Sequence, residues 1–243
     1  MSNKTRLDHL LHQLGLTESR SQAATLIMAG KVKIRDRVID KPGWQVSDID
    51  ATDIEILQPL RYVSRAGLKL ESANDKFKLD FKDKIVLDTG SSTGGFSDYV
   101  LQQGAAKVYA VDVGTNQLHE RIRSNPKVVT MEKTDIREAN IPERADIALI
   151  DVSFISLKQV LPSVSKLIKP QGFIVAMCKP QFEAGVKDVS KHKGVIKNDK
   201  LRREILKGFE TWARQYYQII DKADSLVSGA KGNVERFYLL KAR

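Results

Sequence analysis

The chain has 243 residues, of which 42% are hydrophobic and 29% are charged, a composition that is typical of soluble globular proteins and excludes a disordered or membrane-embedded chain. This length predicts one large domain with a small domain attached. The formal net charge of +10 predicts a polyanionic partner.

Targeting and metal-binding patterns are both missing from the sequence. The N-terminus, "MSNKTRLDHLLHQLG", lacks a continuous apolar segment, and no later stretch approaches the roughly 18 apolar residues that a membrane span requires. The single cysteine, Cys178, cannot form an internal disulfide, and one cysteine with four scattered histidines has no metal-ligand spacing. We therefore expect a cytoplasmic protein without a structural metal.

The first 58 residues are predicted to form a compact module of two helices and short strands. Leu7, Leu10, Leu11 and Leu14 recur with the spacing of an amphipathic helix, and "TESRSQAATLIMAGK" predicts a second helix that ends at Gly30. The spacing then changes to that of a hairpin in "KVKIRDRVID", and a further strand reaches about residue 57.

The segment "TRLDHLLHQLGLTESRSQAATLIMAGKVKI" resembles the small RNA-binding module first named for ribosomal protein S-four, in which a helix pair and a hairpin present basic residues to folded RNA. Its hairpin tip departs from the usual Asn-Gly, because Arg35 and Asp36 stand there. The resemblance implies that basic side chains contact RNA phosphates. The predicted RNA-binding residues are Arg6, Arg20, Lys31, Lys33 and Arg65.

Residues 65–243 are predicted to form the large domain, which a linker at residues 59–64 joins to the module of residues 1–58. A helix from about Arg65 to Phe77 comes first. Helical patterns then separate most of five apolar segments: "KIVLDTG", "AKVYAVDV", "KVVTMEK", "ADIALIDVS" and "GFIVAMCK". Each is apolar enough for a parallel strand buried on both faces, which predicts a doubly wound α/β sheet. Two last strands, "DKADSLVS" and "ERFYLLKA", are joined by "GAKGN" and predicted to pair antiparallel.

A Gly-rich segment, "VLDTGSSTGGFSDYVL", follows the first strand and opens a helix. Gly90 and Gly94 let the backbone pass close to a ligand, but their spacing is that of neither the dinucleotide fingerprint nor the phosphate loop. Asp88, at the entrance to the loop, would repel a pyrophosphate but suits an ammonium or sulfonium group. Asp112, twenty-two residues after Gly90, can accept hydrogen bonds from a ribose diol, and Asp135 can accept one from an adenine amino group.

A cationic amino acid, a ribose and an adenine together describe S-adenosylmethionine, which we expect to be the cofactor. The alternative is that the three acids only cap turns. The predicted cofactor-binding residues are Asp88, Gly90, Ser91, Gly94, Gly95, Phe96, Asp112 and Asp135.

An acid and an amine end two neighbouring strands of the predicted sheet. Asp151 ends the fourth strand and Lys179 the fifth, and ligands of open α/β sheets bind at the carboxyl ends of the strands. Pro180 cannot donate a sheet hydrogen bond, so it stops the strand and leaves Lys179 at the rim. The alternative is a structural ion pair between Lys179 and Asp151.

From "YVSRAGLKL" through "VLDTGSSTGGF", "YAVDVG", "IDVSFISL", "KPQFEAG" and "GNVE", the chain resembles the TlyA/haemolysin A family, whose catalytic domain is similar to the FtsJ group of ribose methyltransferases. The resemblance implies a Rossmann-like class I methyltransferase sheet and 2′-O-methylation of ribosomal RNA, at a cytidine ribose. The Lys-Asp-Lys-Glu tetrad of FtsJ-type enzymes falls on Lys69, Asp151, Lys179 and Glu235. In "KTDIRE", Asp135 stands where relatives often have Asn.

Two chemical roles are open for Lys179. A 2′-hydroxyl is a poor nucleophile, and a lysine can take its proton only when neutral, which requires burial or a second cation such as Lys69. Alternatively, Lys179 stays charged and stabilises a developing alkoxide. Asp151 and Glu235 would orient the amines and the sugar.

Two other functions remain as alternatives. A non-catalytic RNA- or ribosome-binding protein would need only the first module and the charge. A membrane-lysing protein is suggested by the family's name, but the sequence contains no long apolar segment and no strongly amphipathic basic helix. The basic loop "KDVSKHKGVIKNDKLRR", which follows the catalytic strand, is expected to hold RNA over the crevice.

Overall fold

The computed structural model describes residues 4–47, 50–58, 61–184, 195–196, 198–227 and 232–243. Contacts between Cα atoms divide the chain into two compact units, Met1–Arg65 and Ala66–Arg243. Parts of several predicted segments lie outside the described residues, namely 1–3 and 48–49 of the first module, 59–60 of the linker, 185 of "KPQFEAG", 187–194 and 197 of the basic loop, 228 of "DKADSLVS" and 229–231 of "GAKGN".

The described part of the first unit consists of two short helices packed on small antiparallel sheets. Its elements are β1 (Lys4–Arg6), α1 (Leu7–Gln13), α2 (Arg20–Met28), β2 (Val32–Ile34), β3 (Arg37–Ile39), β4 (Gln45–Ser47) and β5 (Ile54–Ile56). Strand β2 pairs with β3 and β5, and β1 pairs with β4. Ser19 caps α2 by accepting a hydrogen bond from the Gln22 N–H, and Leu7, Leu11 and Ile27 are fully buried in the core between these elements.

The remaining elements alternate between helix and strand along most of the chain. They are α3 (Arg65–Phe77), β6 (Ile85–Thr89), α4 (Gly95–Gln102), β7 (Lys107–Val111), α5 (Glu120–Arg123), β8 (Val128–Met131), β9 (Ala145–Ile150), α6 (Leu157–Leu167), β10 (Ile168–Cys178), α7 (Pro180–Glu183), α8 (Asp199–Tyr216), β11 (Tyr217–Asp224) and β12 (Arg236–Ala242).

The strands of the second unit form one seven-stranded sheet in the order β11-β12-β10-β9-β6-β7-β8. Strands β6 to β10 are parallel to one another, whereas β12 runs antiparallel between β10 and β11. Apolar side chains of the central strands pack against α6 and α8 in the main core. The predicted Rossmann-like α/β architecture is therefore confirmed.

Two details of the strand predictions were wrong. Strand β8 is not buried on both faces, because it is an edge strand that pairs with β7, and Val129 on it is 40% exposed. Strand β11 begins at Tyr217, four residues before "DKADSLVS", and ends at Asp224. The earlier start continues directly from α8, so no polar turn marks the boundary in the sequence.

Candidate active site

The carboxyl ends of β6, β7, β8 and β9 meet at one edge of the sheet, where they border a cavity of about 400 Å³. Several residues at this edge have a left-handed backbone: φ is 80° at Gly90, 47° at Ser92, 53° at Asn116 and 66° at Phe154. For residues other than glycine, this conformation costs about 1–2 kcal/mol. Backbone strain beside a cavity is typical of functional sites.

Gly90 brings the loop after β6 into contact with the end of β9. A Cβ atom at this position would lie 2.7 Å from the Asp151 carbonyl oxygen, so no other residue fits without a shift of the backbone. Gly94 also has a positive φ, of 90°, and it caps the N-terminus of α4 close to Leu118 and Ile122. Both predicted glycines therefore shape the loop beside the cavity.

Asp88 is fully buried beneath this loop instead of lining the cavity. One carboxylate oxygen, Oδ2, accepts hydrogen bonds from the Ser97 backbone N–H at 3.0 Å and from the Ser97 hydroxyl at 2.6 Å. The other, Oδ1, makes no hydrogen bond within the described part of the chain. Burial raises the pKa of Asp88 to about 7, and the hydrogen bonds from Ser97 oppose that shift.

Asp112 lies at the cavity with its carboxylate held in place by the backbone. The Ser92 N–H donates to Oδ2 at 2.8 Å, and the Gly114 N–H donates to Oδ1 at 2.7 Å. Ser91, which precedes this contact, is buried, and its hydroxyl makes no hydrogen bond to any described residue. A fixed carboxylate with further lone pairs can accept hydrogen bonds from a diol.

Asp135 also borders the cavity, but it is engaged by a neighbour. Arg137 donates to its carboxylate from Nε at 3.0 Å and from Nη2 at 2.5 Å. These hydrogen bonds hold the pKa of Asp135 below its ordinary value. Any amino group that binds Asp135 must therefore share it with Arg137.

Gly95 and Phe96 belong to the core more than to the cavity. Both lie in the first turn of α4 and are buried, and the Phe96 ring packs on Phe237 with a centroid distance of 6.1 Å. The cavity lining does not include either residue. Their contribution to a ligand site is therefore to place the N-terminus of α4.

Asp151 and Lys179 form a partly buried ion pair at the rim of the cavity. Lys179 Nζ lies 2.6 Å from Asp151 Oδ1 and donates a hydrogen bond to Ser153 Oγ at 2.8 Å. The parallel pairing of β9 with β10 places the ends of the two strands side by side. Pro180 is the first residue of α7, so Lys179 stands between the strand and that helix.

Lys69 and Glu235 form a second ion pair, which is more deeply buried. Lys69 Nζ, on α3, donates to Glu235 Oε2 at 2.5 Å. Glu235 directly precedes β12, whose first residue, Arg236, pairs with Cys178 in β10. The register therefore brings Glu235 next to Lys179, so the four residues of the predicted tetrad meet at the same end of the sheet.

Phe154 is an exposed aromatic residue beside the Asp151–Lys179 pair, and it is not among the site residues predicted from the sequence. It is 91% exposed, borders the cavity, and packs on Phe182 with a centroid distance of 5.1 Å. Glu183 holds the same loop, because it accepts hydrogen bonds at 2.6 Å from the hydroxyl of Ser156 and from the N–H of Leu157. Both Phe154 and Ser153 stand within the motif "IDVSFISL", the one signal that pointed to them.

Four of the five basic residues predicted to bind RNA contact polar neighbours in the first unit. Arg6 and Arg20 both contact Asp8, with closest distances of 2.8 Å and 3.4 Å. Lys31 Nζ donates to Gln58 at 2.8 Å, and Lys33 lies 3.8 Å from Glu55. Arg65 begins α3 and is partly exposed. The side chains of Arg6 and Arg20 are about half exposed, at 52% and 53%, so both remain accessible to a phosphate.

Two absences concern metal binding and membrane insertion, and both apply to the described residues. Among them, His, Cys, Asp and Glu side chains do not gather in any group of three or more that could hold a metal ion. None of the described helices combines the length and the apolar character needed to cross a membrane.

This combination of a cavity over a Gly-rich loop, an acid after β7 and paired lysines and acids at the strand ends defines a methyltransferase site of the Rossmann-like type. The family model of FtsJ-like methyltransferases matches residues 62–243, and that of the S4 domain, the module named for ribosomal protein S-four, matches residues 5–50. The chain belongs to the FtsJ-like methyltransferase family, as the resemblance of its motifs predicted.

Relatives of known name cover nearly the whole chain. The 16S/23S rRNA (cytidine-2′-O)-methyltransferase TlyA of Mycobacterium tuberculosis is 38% identical over 100% of this chain and 92% of its own length. Hemolysin A of Brachyspira hyodysenteriae is 40% identical over 95% of this chain and 97% of its own. A solved structure from Streptococcus thermophilus, provisionally named a hemolysin, is 38% identical, covers 100% of this chain and 90% of its own, and superimposes with a TM-score of 0.75.

Proposed function

We propose that the chain transfers a methyl group from S-adenosylmethionine to the 2′-hydroxyl of a cytidine in ribosomal RNA. The observation that carries this proposal is the meeting of Lys69, Asp151, Lys179 and Glu235 at one end of the sheet, where Asp151 lines the cavity. The relative TlyA, which is similar over the whole chain, has this activity in its name.

The residues at the cavity fit this cofactor, which supplies an electrophilic methyl group on a sulfonium centre. Gly90 leaves the space that a side chain would fill, and the Asp112 carboxylate is oriented to accept the ribose hydroxyls. Asp88 Oδ1 and Ser91 Oγ are buried close to the loop without hydrogen bonds to the described residues, and since Asp88 does not line the cavity, its assigned role is to hold the loop through Ser97. Asp135 is assigned to the adenine amino group, in competition with Arg137.

Lys179 is proposed to act as an ammonium group that stabilises the developing alkoxide. Of its three N–H donors, one is donated to Ser153 Oγ, and Asp151 Oδ1 lies 2.6 Å from Nζ as its ion-pair partner, so the ammonium group has donor capacity for the 2′-oxygen. With the cofactor bound, Lys179 would stabilise the negative charge that develops on the 2′-oxygen while a carbon–oxygen bond replaces the carbon–sulfur bond, and the hydroxyl proton would leave to solvent. Glu235 compensates the charge of Lys69, so Lys69 is assigned to orient the sugar through its remaining donors.

Phe154 is proposed to receive the base of the target nucleotide. An exposed aromatic ring in a strained loop beside the reacting lysine offers a stacking surface, and target bases that leave a helix are commonly stacked on aromatic side chains. The module of residues 1–58 is proposed to bind RNA through Arg6, Arg20, Lys31 and Lys33, and the methyltransferase domain to span residues 65–243.

The test is transfer of a radiolabelled methyl group from S-adenosylmethionine to ribosomal subunits that lack the endogenous modification. Wild-type protein is expected to label a 2′-O-methylcytidine, and Lys179→Ala to reduce the rate at least about 100-fold. Lys166→Ala, an exposed lysine at the end of α6, is the matched control and should keep the wild-type rate.

Lys179→Arg separates the two roles of the lysine. An arginine remains charged and cannot serve as a base, so activity well above that of Lys179→Ala would support charge stabilisation. Wild-type protein that binds S-adenosylmethionine and ribosomal subunits but labels neither subunit would contradict the enzymatic proposal and favour a non-catalytic RNA-binding role.

A further inference from the structure

One acidic side chain holds the backbone of the loop that follows β7. Glu132, the first residue after β8, accepts hydrogen bonds from the backbone N–H groups of Asn116 at 2.8 Å, Gln117 at 3.0 Å and Leu118 at 3.5 Å. These three residues follow Asp112 closely in the chain. Glu132 therefore satisfies three consecutive donors that a loop of this shape leaves open.

The same carboxylate is fixed from its other side. Arg123, on α5, donates to both of its oxygens, at 2.9 Å and 3.4 Å. Hydrogen bonds from the loop backbone, that of Asn116 foremost, lower the pKa of Glu132 to about 2, so it is ionised at neutral pH. Asn116 has a φ of 53°, a conformation that these hydrogen bonds compensate.

The loop carries Gln117 to the wall of the cavity. Its carboxamide oxygen accepts a hydrogen bond from the Ser92 hydroxyl at 3.2 Å, while its amide nitrogen donates to no described residue. A Cβ atom on Gly114 would lie 1.7 Å from Gln117 Nε2 and 3.0 Å from Asp112 Oδ1. The free amide donor and the Asp112 carboxylate therefore lie side by side over Gly114, where any side chain would displace the Gln117 amide from this position.

We infer that Gln117 contacts the cofactor by donating its amide N–H to a ribose hydroxyl oxygen, and that Glu132 is the positioning residue that holds Gln117 there. The two side chains at the cavity are complementary, because Asp112 accepts hydrogen bonds and Gln117 donates them. A ribose diol needs both, since each hydroxyl is at once a donor and an acceptor. This inference rests on the proposed use of S-adenosylmethionine.

The experiment measures the dissociation constant of S-adenosylhomocysteine by calorimetry for wild-type protein, Gln117→Ala, Glu132→Ala and Glu132→Gln. Glu138→Ala, an exposed acid in the same region, is the matched control. Gln117→Ala is expected to weaken binding about 10-fold, the value of one hydrogen bond. Glu132→Ala should weaken it at least as much, Glu132→Gln less, and Glu138→Ala not at all.

The 2′-deoxy and 3′-deoxy analogues of S-adenosylhomocysteine separate a ribose contact from a general loss of structure. Wild-type protein should discriminate against the analogue that lacks the contacted hydroxyl, and Gln117→Ala and Glu132→Ala should lose this discrimination. Gln117 is exposed, so its truncation leaves the fold intact even if Glu132→Ala unfolds.

Unchanged affinity or unchanged discrimination in Gln117→Ala would overturn the contact. Loss of discrimination in Gln117→Ala but not in a folded Glu132→Ala would overturn the positioning role. Wild-type protein that binds none of the three ligands would overturn the proposed cofactor and, with it, this inference.

Discussion

The ammonium group of Lys69 donates a hydrogen bond to the carboxylate of Glu235 at 2.5 Å, although the two residues are 166 positions apart in the chain. Only 11% of the Lys69 side chain and 3% of the Glu235 side chain is exposed. This contact ties the first helix of the methyltransferase unit to the start of the last strand.

Truncating one partner of this pair is expected to destabilise the protein. Glu235→Ala leaves the buried Lys69 charge without its partner, and we expect the free energy of unfolding to fall by about 3–5 kcal/mol. Urea unfolding measures the change. In the exposed pair Lys76–Asp221, Lys76→Ala should cost less than about 1 kcal/mol and serves as the control. A double variant, Lys69→Met with Glu235→Leu, should be more stable than Glu235→Ala, and a double variant that is equally unstable would contradict this account.

Asp88 is expected to make the stability of the folded protein depend on pH. Its pKa rises from 3.8 to about 7 on folding, so between these values the folded state keeps a proton that the unfolded state has lost. The stabilisation is complete below pH 4 and is lost as the pH rises through 7, with a total on the order of 4 kcal/mol. Asp88→Asn cannot ionise, so its stability relative to wild type should increase between pH 4 and 7. A difference that is constant with pH, measured by urea unfolding, would refute the prediction.

Gly90 is expected to be essential for cofactor binding for a steric reason. In Gly90→Ala the new Cβ would lie 2.7 Å from the Asp151 carbonyl oxygen, so the loop and the end of β9 must move apart. Gly104→Ala is the matched control, because Gly104 also has a positive φ, of 88°, but its Cβ would meet Lys82 at an ordinary 3.6 Å. Both variants should lose about 1 kcal/mol or more of stability. Only Gly90→Ala should lose affinity for S-adenosylmethionine in calorimetry, and equal affinities would rule out the steric explanation.

Variants at Phe154 are expected to separate the cost of its backbone conformation from the contribution of its ring to activity. Phe154→Ala and Phe154→Gly both remove the ring, but only glycine adopts the observed φ of 66° without strain, so the glycine variant should be about 1 kcal/mol more stable in thermal unfolding. Both variants should lower kcat/KM for ribosomal RNA about 10-fold or more, because base stacking is worth about 1–3 kcal/mol. Phe154→Tyr retains a ring and should keep most of the activity. Full activity in Phe154→Gly would exclude a stacking role.

The parallel strands were predictable because their apolar runs are bounded by turns or helical patterns. The end of β10 is an example, since Pro180 marks it and leaves Lys179 at the rim. The start of β11 was not predictable, because Tyr217 follows the last residue of α8 without a break. The exposure of β8 depends on its position at the edge of the sheet, which strand order alone decides.

The candidate site, like the fold, could be predicted from the sequence only in part. Motif spacing placed Asp112, Asp151 and Lys179 at strand ends, and all three lie there. The burial of Asp88 could not be predicted, because it depends on the three-dimensional approach of Ser97 in α4. The contacts of Glu132 with the backbone of the loop after β7 likewise leave no pattern in the sequence, since backbone donors carry no residue identity.

The position of β12 between β10 and β11 has a consequence for how the protein is made. Glu235 and the strand that follows it leave the ribosome after the other three tetrad residues, and β11 joins the sheet only through β12. A nascent chain that ends before residue 235 therefore has Lys69, Asp151 and Lys179 but an uncompensated Lys69. The four side chains can therefore come together only after Glu235 has been synthesised and β12 has paired with β10.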